Sequence, residues 1–129
     1  MSYYFSKIVN KDFDTAVEDV TEHLKTEGFG VLTQIDVGAT LKKKLDVDFR
    51  RYQILGACNP GFAHKALTEE DKIGTMLPCN VIVQQLDNGE VEVAAVDPMA
   101  SMAGVKNPRL QGIASEVQAK LKNVINSLS

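Results

Sequence analysis

Apolar residues recur at helical spacing in two long stretches of the chain. In the first stretch, Asp12 is a typical N-cap and Gly28 is a typical residue beyond the last turn, so a helix is predicted between them. Its apolar stripe consists of Phe13, Ala16, Val17, Val20 and Leu24. In the second stretch, Asn107-Pro108 marks a helix start, and the stripe after it is the strongest periodic signal in the chain. That stripe consists of Leu110, Ile113, Ala114, Val117, Leu121, Val124, Ile125 and Leu128.

Other stretches are shorter and rich in β-branched and aromatic residues, which predicts strands. They are Ser2–Val9, Phe29–Val37, Tyr52–Cys58, Cys79–Leu86 and Val91–Asp97. The second of them alternates so that Phe29, Val31, Ile35 and Val37 form one core face. Asn88-Gly89 separates the last two strands and favours a hairpin with a two-residue type I′ turn.

Two shorter helices are predicted between these strands. One covers residues 39–45, and the other begins at Asn59-Pro60 and carries Phe62, Ala63, Ala66 and Leu67. Five strands with two long helices predict a single α+β domain over residues 1–129. The expected architecture is an antiparallel or mixed β-sheet of about five strands with both long helices on one face.

Composition narrows the classes of function. The 129 residues are 44% hydrophobic and 24% charged, which is ordinary for one globular domain. The net charge of −3 and the absence of tryptophan argue against a nucleic-acid partner. No apolar run is long enough for a membrane helix and no signal sequence is visible, so we expect no membrane association and a cytoplasmic location. Cys58 and Cys79 are then expected to be free thiols.

Four motifs carry a resemblance to a known family. They are Tyr52–Pro60 (YQILGACNP), Ala63–Leu67 (AHKAL), Leu77–Val81 (LPCNV) and Val93–Pro98 (VAAVDP). Together they resemble the domain-of-unknown-function 302 family over nearly the whole chain. The resemblance implies an α+β fold of TATA-box-binding-protein-like architecture and a homodimer. It implies no reaction, and the cofactor stays unknown.

The strand ends carry the densest group of chemically useful residues. If the third and fourth strands pair antiparallel, the end of one lies opposite the start of the other, which brings Cys58 and Cys79 together. The hairpin places Asp97 opposite Asn80 if its loop has two residues, or opposite Cys79 if it has three. We therefore predict a ligand-binding site at this end of the sheet. Its candidate residues are Cys58, Asn59, His64, Cys79, Asn80 and Asp97.

These residues also fit other interpretations. Both cysteines can be small core residues, with Asn59, Asn80 and Asp97 serving turns and caps. Alternatively, Cys58, Cys79, His64 and Asp97 could bind a soft metal such as copper(I) or zinc near Met76, Met99 and Met102. A weaker second candidate is an anion site at Lys43, Arg50 and Arg51, beside Lys42 and Lys44.

Three functions stay open at this point. The protein is a dimeric binding module for a small ligand or metal, a thiol-dependent redox protein or enzyme, or a structural or regulatory interaction protein. Cys58 precedes a helix start, which favours a reactive thiol, whereas a nearby Asp97 would raise the thiol pKa. We favour the binding module, and the sequence specifies neither the ligand nor a catalytic residue.

Overall fold

Five strands and five α-helices form along residues 2–129, the part of the chain that this computed structural model describes. The strands are β1 (Tyr4–Val9), β2 (Gly30–Asp36), β3 (Tyr52–Cys58), β4 (Cys79–Gln85) and β5 (Val91–Val96). The α-helices are α1 (Phe13–Thr26), α2 (Val37–Leu45), α3 (Pro60–Glu69), α4 (Pro98–Ser101) and α5 (Pro108–Ser127). A 3₁₀ turn at Ile73–Met76 leads into β4.

The strands form one sheet in the order β1-β5-β4-β3-β2, and every neighbouring pair is antiparallel. The α+β class is therefore confirmed, and the sheet is antiparallel rather than mixed. The open sheet fits the expected TATA-box-binding-protein-like architecture. Strands β2 and β1 are its two edges.

The two long helices pack against each other and against one face of the sheet, as predicted. The α1 stripe buries Phe13, Ala16, Val20 and Leu24. Residues on the inner face of the sheet, such as Val81, Val83 and Val93, are fully buried beneath the helices. A second, smaller cluster forms around Ala66, Ile73 and Leu110. We call the helix-covered side the inner face of the sheet and the other side its outer face.

The predicted helix boundaries have the expected chemistry. Asp12 caps α1, since its carboxylate accepts a hydrogen bond from the backbone nitrogen of Thr15 at 2.8 Å. Gly28 follows α1 at a φ of +85°, a conformation that favours glycine. Asn107 caps α5 by accepting from the backbone nitrogen of Arg109 at 3.1 Å. Local sequence therefore determines where both long helices begin.

Strand β2 differs from its prediction because it contains a β-bulge. Val31 lies opposite Ala57 but Thr33 lies opposite Gly56, so Leu32 is an extra residue. The extra residue reverses the alternation that follows it. Ile35 was predicted on the core face together with Val31, and this prediction is wrong: Ile35 pairs with Ile54 on the outer face and is 47% exposed.

The hairpin between β4 and β5 has a three-residue loop, so the predicted two-residue type I′ turn is wrong. The backbone nitrogen of Gly89 donates to the carbonyl of Leu86 at 2.8 Å, and Gly89 has a φ of +88°. A type I′ turn also requires a positive φ at Asn88, which Asn88 does not have. The resulting register pairs Val81 with Ala95. Its continuation places Asp97 level with Cys79, the second of the two expected arrangements.

Candidate functional site

A cavity of about 280 Å³ lies at one end of the sheet, between the sheet and helices α3, α4 and α5. We call it the strand-end cavity. Its described lining residues are apolar except for Cys58, Asn59 and Cys79. Leu32 and Leu67 line it while remaining 69% and 45% exposed, so apolar side chains also surround its opening. The cavity can therefore enclose an apolar group and is open to solvent on one side.

Both cysteines line the strand-end cavity, and their proximity follows from the register. Ala57 pairs with Cys79, which leaves Cys58 one residue beyond that pair. Cys79 points to the inner face and is 8% exposed, whereas Cys58 is half-buried at the point where β3 turns into α3. Both are free thiols. The structure thus brings these two predicted site residues to the same wall.

Burial controls the chemistry of the inner thiol. Desolvation, and to a smaller extent the charge of the neighbouring Cys58, raise the pKa of Cys79 from 9.0 to about 11. At neutral pH, Cys79 is therefore an uncharged thiol. A nucleophilic cysteine requires the thiolate, so this environment is the reverse of the one found around reactive cysteines.

Asn59 lines the same cavity and connects it to the end of α1. It occupies the N-cap position of α3, but its side chain makes no capping hydrogen bond. Instead, its amide nitrogen Nδ2 donates to the backbone carbonyl of Glu27 at 3.3 Å. Asn59 therefore occupies the N-cap position of α3 without capping the helix. Its side chain instead joins the end of β3 to the end of α1 at the cavity wall.

The strands approach closely where the cavity begins. Gly56 pairs with Asn80, and a Cβ atom at Gly56 would lie 2.8 Å from Cγ of Pro78 and would collide with Oγ1 of Thr33. Glycine is needed here because of this close approach, and its φ is not in the left-handed region. The packing of Pro78 on β3 sets the position of Cys79 immediately after it.

Three other predicted site residues lie away from the strand-end cavity. Asn80 points to the outer face, since it is exposed and alternates with Cys79. Asp97 accepts a hydrogen bond from the backbone nitrogen of Met99 at 3.0 Å and one from Gln118 Nε2 at 3.1 Å. His64 lies on the exposed side of α3. None of the three is among the residues that line the cavity in the described part of the chain.

The predicted set of metal ligands does not assemble. Within residues 2–129, no group of three or more histidine, cysteine, aspartate or glutamate side chains is placed to hold a metal ion. The physical reason is that Asp97 serves as the N-cap of α4 and His64 faces solvent, so only the two thiols meet. The soft-metal interpretation of these four residues is therefore wrong.

The weak anion site does not assemble either, because its two arginines diverge. Arg50 donates from Nε to Gln84 Oε1 at 2.8 Å on the outer face. Arg51 pairs with Asp14 of α1 at 2.9 Å and lies 4.2 Å from the ring centroid of Phe13. Lys43 lies on α2, among exposed side chains. Consecutive residues in an extended segment point to opposite sides, which separates the two guanidinium groups.

Sequence reasoning missed the apolar walls of the cavity. They come from α3, the short helix α4 and the start of α5, and include Phe62, Met102, Leu110 and Ile113. The sequence pattern predicts the apolar residues of α5 only as one stripe that packs on the sheet. The length of α5 is a usable signal: its 20 residues span about 30 Å, whereas a strand of 7 residues spans about 24 Å, so the apolar residues of its first turns need partners other than the sheet.

Comparisons with known proteins agree with the fold. A family model described as domain of unknown function DUF302 matches residues 5–128. A crystal structure of an uncharacterised conserved DUF302 protein from Bacillus stearothermophilus is 29% identical, covers 100% of both chains and has a TM-score of 0.93. No curated protein matches the chain. In residues 2–129, no helix has the length and apolar character needed to cross a membrane.

Proposed function

The chain belongs to the DUF302 family, and from this premise and the geometry of the strand-end cavity we propose that the protein is a binding module for a small, uncharged, apolar molecule. The observation that carries the proposal is the cavity itself, with its apolar lining. Small-molecule sites are typically concave, mostly apolar and fitted with a few polar groups that orient the ligand. Asn59 and the two thiols are the polar groups at this site.

The cavity volume sets the size of the ligand. A cavity of about 150 Å³ in another protein accepts benzene. A cavity of about 280 Å³ is nearly twice as large. We therefore expect a ligand of roughly ten to twelve non-hydrogen atoms, such as a bicyclic aromatic molecule or a short alkyl chain.

The lining also sets the charge of the ligand. An ionised group loses several kcal/mol of hydration when it enters an apolar site without a partner. The lining residues offer no charged side chain, and Cys79 stays protonated because its pKa is raised to about 11. A ligand with a hydroxyl or carbonyl group can instead bond with the amide of Asn59. Uncharged ligands are therefore preferred to carboxylates of the same shape.

A matched pair of ligands tests the proposal. We expect 2-naphthalenemethanol to bind with a Kd of roughly 10 μM to 1 mM, which corresponds to about 4–7 kcal/mol. 2-Naphthoic acid, which is ionised at pH 7, should bind at least tenfold more weakly. Calorimetry and chemical shifts of residues that line the cavity report the affinity and the location. Equal affinity for both compounds, or no binding of either, would contradict the proposal.

A cavity-filling variant locates the site. Ala63→Leu places a larger side chain against the cavity and should weaken binding of 2-naphthalenemethanol at least tenfold. Ala119→Leu makes the same change on the exposed side of α5 and should leave binding unchanged. Unfolding midpoints of both variants show that each one is folded. If Ala63→Leu binds as well as the wild-type protein, the ligand occupies another place.

A thiol enzyme is the less favoured alternative. It would require a nucleophilic thiolate, and the raised pKa of Cys79 disfavours a thiolate at that residue. We propose a cytoplasmic location because both cysteines are free, which suits a reducing compartment.

The homodimer implied by the family resemblance is also a proposal. The geometry of the strand-end cavity does not bear on it, because the cavity lies on the inner side of the sheet.

A further inference from the structure

Two leucines that the fold leaves exposed form part of the opening of the strand-end cavity. Leu32 on β2 and Leu67 on α3 both line the cavity, although 69% and 45% of their surfaces remain accessible to solvent. Exposed apolar side chains that border a cavity are typical of surfaces that contact a ligand or a partner. A ligand contained wholly inside the cavity would leave them exposed. Their position therefore indicates a ligand that extends beyond the opening.

The β-bulge in β2 directs Leu32 toward this opening. In a regular strand, Leu32 would alternate with Val31, which packs against the core, and would point to the outer face. Because Leu32 is the extra residue of the bulge, it lines the cavity on the inner side instead. Bulges commonly redirect a side chain next to a functional site. The irregularity of this edge strand thus adds apolar surface at the cavity opening.

The walls away from the opening are closed and apolar. They include Leu110, Ala114 and Val117 of α5, which are almost fully buried. A cavity of about 150 Å³ accepts the six carbons of benzene, so in proportion about 280 Å³ has room for about eleven carbon atoms. A straight hydrocarbon chain of that length can fill the cavity from its buried walls to the exposed leucines.

A cation lies close to the cavity, on its solvent side. The ammonium group of Lys65 is 5.6 Å from the centroid of the ring of Phe62, which lines the cavity. Lys65 is exposed, and within residues 2–129 it forms no ion pair. Its charge is therefore available to an anionic group that stays in solvent beside the opening.

We propose that the ligand is a straight-chain amphiphile of about twelve or more carbon atoms, whose chain fills the cavity while its carboxylate or hydroxyl head group stays outside, near Leu32 and Lys65. This inference rests on the proposed function and specifies the class of ligand. A head group that stays in solvent keeps its hydration. It therefore avoids the desolvation penalty that excludes a carboxylate from the cavity itself.

The dependence of affinity on chain length tests the proposal. Calorimetry uses hexanoate, octanoate, decanoate, dodecanoate and tetradecanoate, each below its micelle-forming concentration. Affinity should rise about fourfold per methylene group up to about eleven carbons, and by less than about twofold per methylene group beyond that length. An affinity that does not rise with chain length, or that keeps rising fourfold per methylene group through tetradecanoate, would overturn the proposal.

A comparison of head groups tests whether the charge stays outside. Dodecanoate and 1-dodecanol should bind within about threefold of each other, in contrast to the two naphthalene compounds, because only the chain enters the cavity. A preference of about tenfold or more for 1-dodecanol would overturn the proposal, since it would mean that the head group is desolvated.

Substitutions at the opening locate the head group. Leu32→Asp removes apolar contact and adds a like charge, so it should weaken dodecanoate at least fivefold more than it weakens 2-naphthalenemethanol. Leu45→Asp is the matched control, because Leu45 is 66% exposed on α2 and is not among the described lining residues. It should leave both affinities unchanged. Lys65→Gln should weaken dodecanoate at least threefold more than 1-dodecanol.

Failure of this inference is distinguishable from failure of the proposed function. If 2-naphthalenemethanol binds but dodecanoate does not, or if Leu32→Asp weakens both ligands equally, the ligand is contained in the cavity and the inference is overturned alone. If neither 2-naphthalenemethanol nor any of the straight-chain compounds binds, the proposed function fails and this inference fails with it. Leu32 and Lys65 are exposed, so their variants should fold, and unfolding midpoints check this.

Discussion

The side-chain amide of Asn59 donates a hydrogen bond to the backbone carbonyl of Glu27 at 3.3 Å, joining the end of β3 to the end of α1. The two residues are far apart in sequence, and their contact lies beside the strand-end cavity. Gly28 allows this approach, since its Cβ position would lie 3.0 Å from Nδ2 of Asn59. The contact therefore holds one wall of the cavity to the helix layer.

Removing this contact should destabilise the protein modestly. Asn59→Ala loses one hydrogen bond, and we expect a loss of about 0.5–1.5 kcal/mol in the free energy of unfolding. Urea titration followed by circular dichroism measures this change. Asn80→Ala is the matched control, because Asn80 also lies at a strand end but is exposed on the outer face. Equal effects for both variants would show that the Glu27 contact contributes nothing.

The close approach at Gly56 gives a second prediction. In Gly56→Ala, the new methyl group would meet Pro78 and Thr33, so we expect a destabilisation of about 1–3 kcal/mol. Gly30→Ala is the control, since a Cβ there meets no atom of the described residues within 4 Å. Thermal unfolding of both variants is the measurement. A Gly56→Ala variant as stable as the wild type would show that β3 and Pro78 can separate without cost.

The buried thiol predicts how stability depends on alkaline pH. The pKa of Cys79 rises from 9.0 in the unfolded chain to about 11 in the folded protein. Between pH 9 and about 11, the Cys79 thiol is therefore mostly protonated in the folded protein and mostly ionised in the unfolded chain. The stabilisation from this group is complete below pH 9 and is lost as the pH rises through about 11, with a slope of about 1.4 kcal/mol per unit.

Urea titrations at pH 8, 9, 10 and 11 measure this slope. Other groups also titrate there, so the informative quantity is the difference between the wild type and Cys79→Ala. We expect the wild type to lose more stability than Cys79→Ala between pH 9 and 11. Parallel curves for these two proteins would sink the prediction. Cys58→Ala serves as the control, because Cys58 is only half-buried.

The centre of α5 gives the largest expected loss. Leu121 is fully buried in the main core, so Leu121→Ala should cost about 2–5 kcal/mol in the free energy of unfolding. Leu45→Ala removes the same atoms from a side chain that is 66% exposed and should cost little. Chemical denaturation of both variants measures the difference. Similar midpoints for the two would contradict the packing of α5 on the sheet.

Local signals were sufficient for most of the fold. The bounds of β3 and the starts of α1 and α5 follow from caps, proline and periodicity, which act within a few residues. The bulge at Leu32 could not be predicted, because it depends on how β2 fits against β3. The β4–β5 loop was mispredicted because Asn88-Gly89 suits both a type I′ turn and the last two positions of a three-residue loop.

The candidate site was only partly predictable for a similar reason. Strand pairing brought Cys58 to Cys79, which depends on register alone. The direction of a side chain at a strand end depends on the segments that follow, so Asn80 and Asp97 were placed in the site although one points outward and the other caps α4. The direction of the His64 side chain depends on how α3 is rotated about its own axis, which the sequence does not specify. The apolar walls required the packing of three helices, which no local pattern specifies.

Strand β1 is synthesised first, but its partner in the sheet is the last strand to be synthesised. Strands β2, β3 and β4 each pair with the next strand in the sequence, whereas β1 pairs with β5, about ninety residues later. At a translation rate of about 5–20 residues per second, Tyr4 waits roughly 5–20 s on the ribosome before Val96 is made. Closing so long a loop is entropically slow compared with pairing strands that follow one another in the sequence. We therefore expect the sheet to grow from β2 toward β5 and to be completed when β1, the earliest strand, docks last.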